Sequence, residues 1–318
     1  MPPGRRHPCC CRSTRCGRRP GRLIRPRAAG SASRAEPPAH HPAPPWARPP
    51  IANRGSESIL SVEEELAKGG FTTGSMRQML FTNRSRVAEL AAADTARMCA
   101  AFPGGMAPSA GGPVDVTPAC AALSTWDHTY SLDSRGSLLF ERFIMRLVPS
   151  APVPASLPWK VPFDPRNPLT TPNTLDIDRA NVQQAFGDAA AELRAANIPL
   201  DARLGDHQTV TRGGQRIPLP GGSWQMGILN VIHPVWHPLA GNVEVATGTT
   251  YLQVVGFGGS ACPNVTTLLA SSQSADPTSP YHADQTAMFS TGQWVPSRFC
   301  EESILASPAL RVVRLTKK

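Results

Sequence analysis

The stretch Gly248-Thr-Thr-Tyr-Leu-Gln-Val-Val-Gly-Phe257 decides the fold class. Its β-branched and aromatic residues are those of a buried strand. Gly258-Gly259 follows, and Val265 to Ser271 reads as an antiparallel partner. The run Gly256-Phe-Gly258-Gly259 therefore reads as a hairpin turn. A phosphate-binding glycine loop would instead join a strand to a helix. On the N-terminal side, residues 213–225 are rich in Gly and Pro, and Met226–Ile232 is a second candidate strand. Beyond the hairpin, Asp284 to Met288 and Glu301 to Ala306 predict short helices tied by Trp294.

From Ser61 onward, the upstream part is mostly helical in texture. Ser61-Val-Glu-Glu-Glu offers an N-cap with acids in the first turn, where they suit the helix dipole, and Gly69-Gly70 ends that helix. Thr72 or Thr73 caps a helix expected from Ser75 to Leu90, with Met76, Met79, Leu80, Val87 and Leu90 at helical spacing. Asp94 to Phe102 predicts a further turn or two. Val116 to Trp126 and Ser134 to Leu147 predict a helix pair, the second capped by Asp133 or Ser134. Residues 148–173 are crowded with proline and predict an irregular crossing. Asn181 to Asn197 is amphipathic, with Val182, Phe186 and Leu193 on one side. Helices first and strands after them make the fold class α+β.

Composition narrows the function. The 34 prolines among 318 residues are about twice the usual share, which predicts many loops. No apolar run approaches the roughly 20 residues that span a bilayer. The net charge of +9 resembles a nucleic-acid signal until it is located: residues 1–55 hold 12 arginines against Glu36, which leaves the rest near −2. An excess confined to one Pro/Arg-rich end, with no basic folded surface, argues against nucleic acid as a partner. Residues 1–55 read as a disordered extension not native to the fold, with a transit peptide as the alternative. Cys9, Cys10, Cys11 and Cys16 fit no common zinc spacing, and no apolar segment follows Arg18-Arg19 as an export signal requires.

Few residues further along invite chemistry. His233-Pro-Val-Trp-His237 would present two imidazoles on one helix face, yet Pro234 opposes a helix and no third ligand is in view. Tyr281-His282-Ala-Asp284 offers an acid/base pair or a structural loop. Asp127, Asp133 and Arg135 offer a carboxylate pair or, more simply, capping and ion pairing between helices.

Four blocks then occur in a particular order. Residues 79–90, Met-Leu-Phe-Thr-Asn-Arg-Ser-Arg-Val-Ala-Glu-Leu, come first. Trp126-Asp127 with Leu132-Asp-Ser-Arg-Gly136 and Leu139-Phe140 comes second, and Ile217-Pro-Leu-Pro-Gly-Gly222 third. The last is Ser272-Gln-Ser-Ala-Asp-Pro-Thr-Ser-Pro-Tyr-His-Ala-Asp-Gln285 with Phe289-Ser290 and Trp294. Together they resemble the C-terminal part of the large chain of the penicillin acylase (penicillin amidase) family of N-terminal-nucleophile hydrolases. The branch is that of aculeacin A acylase and the acyl-homoserine-lactone acylases.

That resemblance implies part of an αββα sandwich: a helical middle, C-terminal strands and docking helices. It divides the chain into residues 1–55, outside the family pattern, and 56–318, within it. The latter comprises a helical 61–147, a Pro-rich crossing 148–173 and an α/β part 174–318. The family's chemistry is hydrolysis of linear amides through an acyl-enzyme. The first serine of the large chain attacks, its own α-amino group takes the proton, and an asparagine with backbone N–H groups holds the oxyanion. Those groups precede the block matching 79–90, so the resemblance assigns no catalytic residue here, and no metal or cofactor. A helper arginine lies shortly before that block, but neither Arg48 nor Arg54 has matching surroundings. Gly55-Ser56 pairs the residue types of a self-cleavage junction, but in a position too close to the block. The expectation is a fragment inactive alone, binding amide substrate only when complemented by the missing half, through association with a small chain or upstream segment. The alternative is a non-catalytic remnant or binding module. Family members are usually periplasmic or secreted. In such members the region of Cys99 and Cys120 can hold a disulfide. Here these residues are either that bridge, worth roughly 3 kcal/mol by loop entropy, or two buried thiols. Cys262 and Cys300 have no counterpart in the resemblance.

Overall fold

The computed structural model describes residues 49–148, 158–259 and 261–315. The reading of residues 1–48 and of part of the Pro-rich crossing lies outside them.

The first helix, α1 (Pro49–Ala67), ends at Gly69 and Gly70, which take φ of 111° and 103°. It begins well before the expected Ser61 cap and runs across the expected boundary at residue 55. Ser61 therefore lies inside the helix, where its hydroxyl donates back one turn to Glu57 Oε1 at 2.9 Å. Next, α2 (Thr73–Leu80) has the expected cap: Thr72 and Ser75 form a reciprocal capping box. The single helix expected over Ser75–Leu90 is in fact broken. Asn83 takes φ of 52°, Arg84 bridges to Thr129, and Ser85 opens α3 (Arg86–Ala101) by accepting from Ala88 N–H. Asparagine tolerates the left-handed region and serine is a strong cap, and together they override the apolar spacing. The turn expected at Asp94–Phe102 is the end of α3.

Strands β1 (Met106–Ala107) and β2 (Val114–Asp115) pair briefly before α4 (Thr117–Ser124) and α5 (Ser137–Leu147). The α5 cap is Gly136 at φ 108°, not Asp133 or Ser134. A Cβ there would lie 3.1 Å from Trp126 Cβ, and the Ser134 hydroxyl is already engaged by Trp126 and Asp127. Within the Pro-rich crossing, β3 (Trp159–Val161) pairs antiparallel with β4 (Asn173–Leu175). The expected amphipathic helix is α6 (Ala180–Ala195), with Val182, Phe186 and Leu193 fully buried.

A short α7 (Leu204–His207) leads into the hairpin β5 (Thr209–Arg212) and β6 (Gln215–Pro218), turned by Gly213 and Gly214 at positive φ. Both φ values fit the mirror-image turn that two-residue hairpins favour. Met226 does not start a strand. It closes a 3₁₀ turn, Gly227 reverses the chain at φ 68°, and β7 (Ile232–His237) begins later. After it come β8 (Gly241–Gly248), β9 (Tyr251–Gly256) and β10 (Asn264–Leu269). β9 and β10 pair antiparallel from Gly256↔Asn264 to Tyr251↔Leu269, as the opening stretch predicts. α8 (Asp284–Ser290), β11 (Val295–Ser297) and α9 (Glu301–Leu305) complete the described chain, β11 being an unanticipated third strand beside β10.

The fold is α+β. Among the described residues the sheets have two or three strands each. The larger apolar cluster gathers α3 to α6 around Met98, Phe140, Phe143 and Phe186. Each fully buried large side chain there contributes about 1.5–3 kcal/mol. The smaller one gathers Val210, Ile217, Ile232, Leu268 and Phe289, against which Phe81 and Trp294 pack. Arg142 links helices to strands: it forks onto Glu192 of α6 at 2.9 and 3.2 Å and lies 4.4 Å from the Trp236 ring of β7. Cys99–Cys120 is a disulfide, which decides between bridge and thiols, and Cys262–Cys300 is a second.

Candidate functional site

The residues singled out for chemistry are not assembled into a catalytic group. His233 and His237 lie on strand β7, not a helix, with two register shifts between them. His233 packs edge-on to Trp224, and burial holds its pKa below the usual imidazole value. His237 is exposed and accepts from Leu239 N–H. No cluster of three or more His, Cys, Asp or Glu suited to a metal occurs among the described residues. His282 Nδ1 meets the Ser274 carbonyl at 2.9 Å, while Asp284 accepts from Gln285 N–H, so each closes its own loop. Asp127 accepts from Thr129 and Ser134, Asp133 pairs with Arg203, and Arg135 reaches Asp201. These are turn and ion-pair roles. Arg48 lies outside the described residues. Gly55-Ser56 sits inside α1, with Ser56 only 2% exposed.

What the structure does bring together is the four sequence blocks. The carbonyl of Asn83, in the first, accepts from Tyr130 N–H at 2.8 Å in the second. The Tyr130 carbonyl accepts from Gly221 N–H at 2.9 Å in the third. Asn230 Nδ2 then donates to both Asn83 Oδ1 and the Pro220 carbonyl, at 3.1 and 2.9 Å. Buried Gln208 donates to the Leu219 and Gly221 carbonyls, both at 2.7 Å. The pair Gly221-Gly222 is required here: Gly221 has φ of 113°, and a Cβ on Gly222 would sit 2.6 Å from Tyr130 Cδ1. The fourth block closes on the first through Phe81, whose ring lies 5.4 Å from Phe289 and 6.0 Å from Trp294. Ser272 and Gln285 fasten that block to α8 and to Leu269 N–H.

At the centre of this hub, sequence reasoning missed Glu141. It is 5% exposed on the apolar side of α5 and bonds Ser223, just past the third block. Its signal was a carboxylate between Leu138 and Ile144 on one helix face. Burial raises its pKa, and raises that of the fully buried Tyr130 phenol further above its usual value, with Glu141 adding to the effect. A carboxyl biased toward its protonated form is a poor base for Ser223, and no imidazole joins the pair, so the geometry is that of a buried tie.

A cleft of about 380 Å³ opens between α3 and α4. Exposed Ala96 and Ala121, buried Trp126 and Phe140, and the half-buried Cys99–Cys120 bridge line it. Its Thr95 and Ser124 hydroxyls already donate to Ala91 and Ala121 carbonyls, so its lining is apolar in effect.

Comparison with known proteins points to the family that the four blocks resemble. The penicillin amidase family profile matches residues 30–306, starting inside the stretch expected to stand apart. Aculeacin-A acylase of Actinoplanes utahensis is 36% identical over 263 residues, covering 81% of this chain and 31% of that protein. The acyl-homoserine lactone acylase PvdQ of Pseudomonas fluorescens (strain Pf0-1) is 38% identical over 197 residues, covering 61% and 25%. PvdQ of Pseudomonas syringae pv. syringae (strain B728a) is 32% identical over 270 residues, covering 83% and 33%. The chain thus spans a third or less of the length of these relatives. With most of its residues inside the profile and the four blocks joined in one hub, this chain belongs to the penicillin amidase family.

Proposed function

We propose that this chain is the C-terminal portion of the large chain of a penicillin-amidase-type hydrolase, acting on linear amides that join an apolar acyl group to a polar head. The match over residues 30–306 carries the reading. Relatives named as acylases of aculeacin A and of acyl-homoserine lactones favour acyl amides as the substrate class. In this reading residues 56–318 contribute the helical middle and the C-terminal strands, and other segments of the enzyme complete the αββα layers. The attacking serine, its α-amino base and the oxyanion asparagine come from those segments as well.

It follows that the 318-residue polypeptide does not hydrolyse such amides by itself. The test is release of acid from a long-acyl amide by the purified chain, alone and co-expressed with an upstream segment bearing the serine. No turnover alone and turnover on complementation are expected. Enzymatic turnover by the chain alone would overturn the claim of inactivity, and absence of association would favour a non-catalytic remnant.

A further inference from the structure

Arg212, at the end of β5, has a buried Nε with no hydrogen-bond partner, and no acidic side chain pairs with it among the described residues. Glu244, on the neighbouring β8, is exposed and turns to Thr211 N–H at 3.2 Å instead. An N–H shielded from water with no acceptor costs free energy.

Arg212 lines a cavity of about 230 Å³. The cavity owes its shape to a fault in the β7–β8 ladder. His233 pairs with Thr247 and Pro234 with Val245, so Ala246 has no partner. Pro234 has no N–H to offer the ladder, and the extra residue bulges. Consecutive residues of a regular strand face opposite sides, yet Val245, Ala246 and Thr247 all border this cavity. The wall facing them is apolar and belongs to the smaller core cluster, through Val210, Leu219 and Ile232. Thr250 and Ser271 add hydroxyls at the exposed rim.

A guanidinium is a planar donor fork that matches a carboxylate, while the apolar wall would leave a fully hydrated inorganic anion poorly served. We infer that this cavity binds a small monocarboxylate carrying an apolar body, with the carboxylate on Arg212 and the body against Val210 and Ile232. The site is independent of the amide-hydrolase reading and stands or falls separately from it.

The test follows the Arg212 Nε–Hε resonance of the isotope-labelled 318-residue chain during titration with hexanoate, acetate, hexanol and sulfate. Hexanoate is expected to shift that resonance and the Val210 and Ile232 methyls saturably. The other three should need at least about tenfold higher concentration. Arg212→Gln should weaken hexanoate by about tenfold or more. Ala246→Leu, which narrows the apolar end while leaving the guanidinium in place, should weaken hexanoate and spare the Arg212 resonance. Absence of saturation, sulfate binding as tightly as hexanoate, or hexanoate affinity unchanged in both variants would overturn the proposal.

Discussion

Gly222 and Glu141 show how single residues hold the hub. Gly222 lies against the Tyr130 ring with no room for a methyl group, so Gly222→Ala is expected to lower stability by about 1–3 kcal/mol through overpacking. Gly258 has open space around it, and Gly258→Ala should change stability by less than about 0.5 kcal/mol. Urea unfolding of the two variants separates them, and equal losses would refute the packing argument. Glu141 makes a pH prediction. Its folded pKa is raised above the ordinary 4.5, so the native state holds the proton more tightly than the unfolded chain does. Its contribution to stability is therefore full below pH 4.5 and is lost as the pH rises through the folded pKa. Glu141→Gln removes that slope. The variant should lose more stability relative to wild type at pH 4.5 than at pH 7, as denaturant midpoints would read. A larger loss at pH 7 would mean that the carboxylate is the stabilising form.

Among elements, the two disulfides act on different parts of the fold. Cys99–Cys120 ties α3 to α4 across a separation of 21 residues, and Cys262–Cys300 ties the β9–β10 loop to the start of α9 across 38. Loop entropy puts their contributions at about 3 and about 4 kcal/mol. Peptide mapping without reduction should recover these two linkages. Replacing Cys99 and Cys120 together by serine should lower stability by about 2–4 kcal/mol. A different pairing, or no loss, would contradict the structure. Phe81, the side chain at which the first and fourth blocks meet, is a sharper probe of the smaller cluster. Phe81→Ala should cost about 3 kcal/mol and loosen α8, read as faster amide exchange at Phe289 than at Phe186 in the larger cluster. Uniform loosening of both clusters would show that Phe81 is not a local joint.

For the whole molecule, the exposed apolar surface bears on the proposed incompleteness. Phe257 on the β9–β10 loop is 88% exposed, Phe299 61% and Leu305 62%, and the Cys262–Cys300 bridge ties their segments together. Exposed large apolar side chains promote association. The chain should self-associate with concentration in sedimentation experiments, and Phe257→Ser with Leu305→Ser should reduce this without changing thermal stability. Association unaffected by the pair would exclude this surface as its cause.

The sequence by itself determined the family, the α+β class and the elements whose signals are local. α6 shows its apolar stripe, α2 its capping box, and the β9–β10 pair its composition and glycine turn, all within a window of about twenty residues. Tertiary structure alone decided what depends on distant partners. The break that Asn83 and Ser85 permit locally is held by distant partners, the Asn83 carbonyl accepting from Tyr130 N–H and its Oδ1 from Asn230 Nδ2, and Glu141 becomes a buried tie because Ser223, 82 positions away, folds over it. Arg212 Nε has no acceptor among the described residues, and Arg212 lines a cavity beside the strand pair whose ladder slips at Pro234. Periodicity and capping act between neighbours in the chain. Hydrogen-bond satisfaction and burial act between neighbours in space, and only the folded chain defines those.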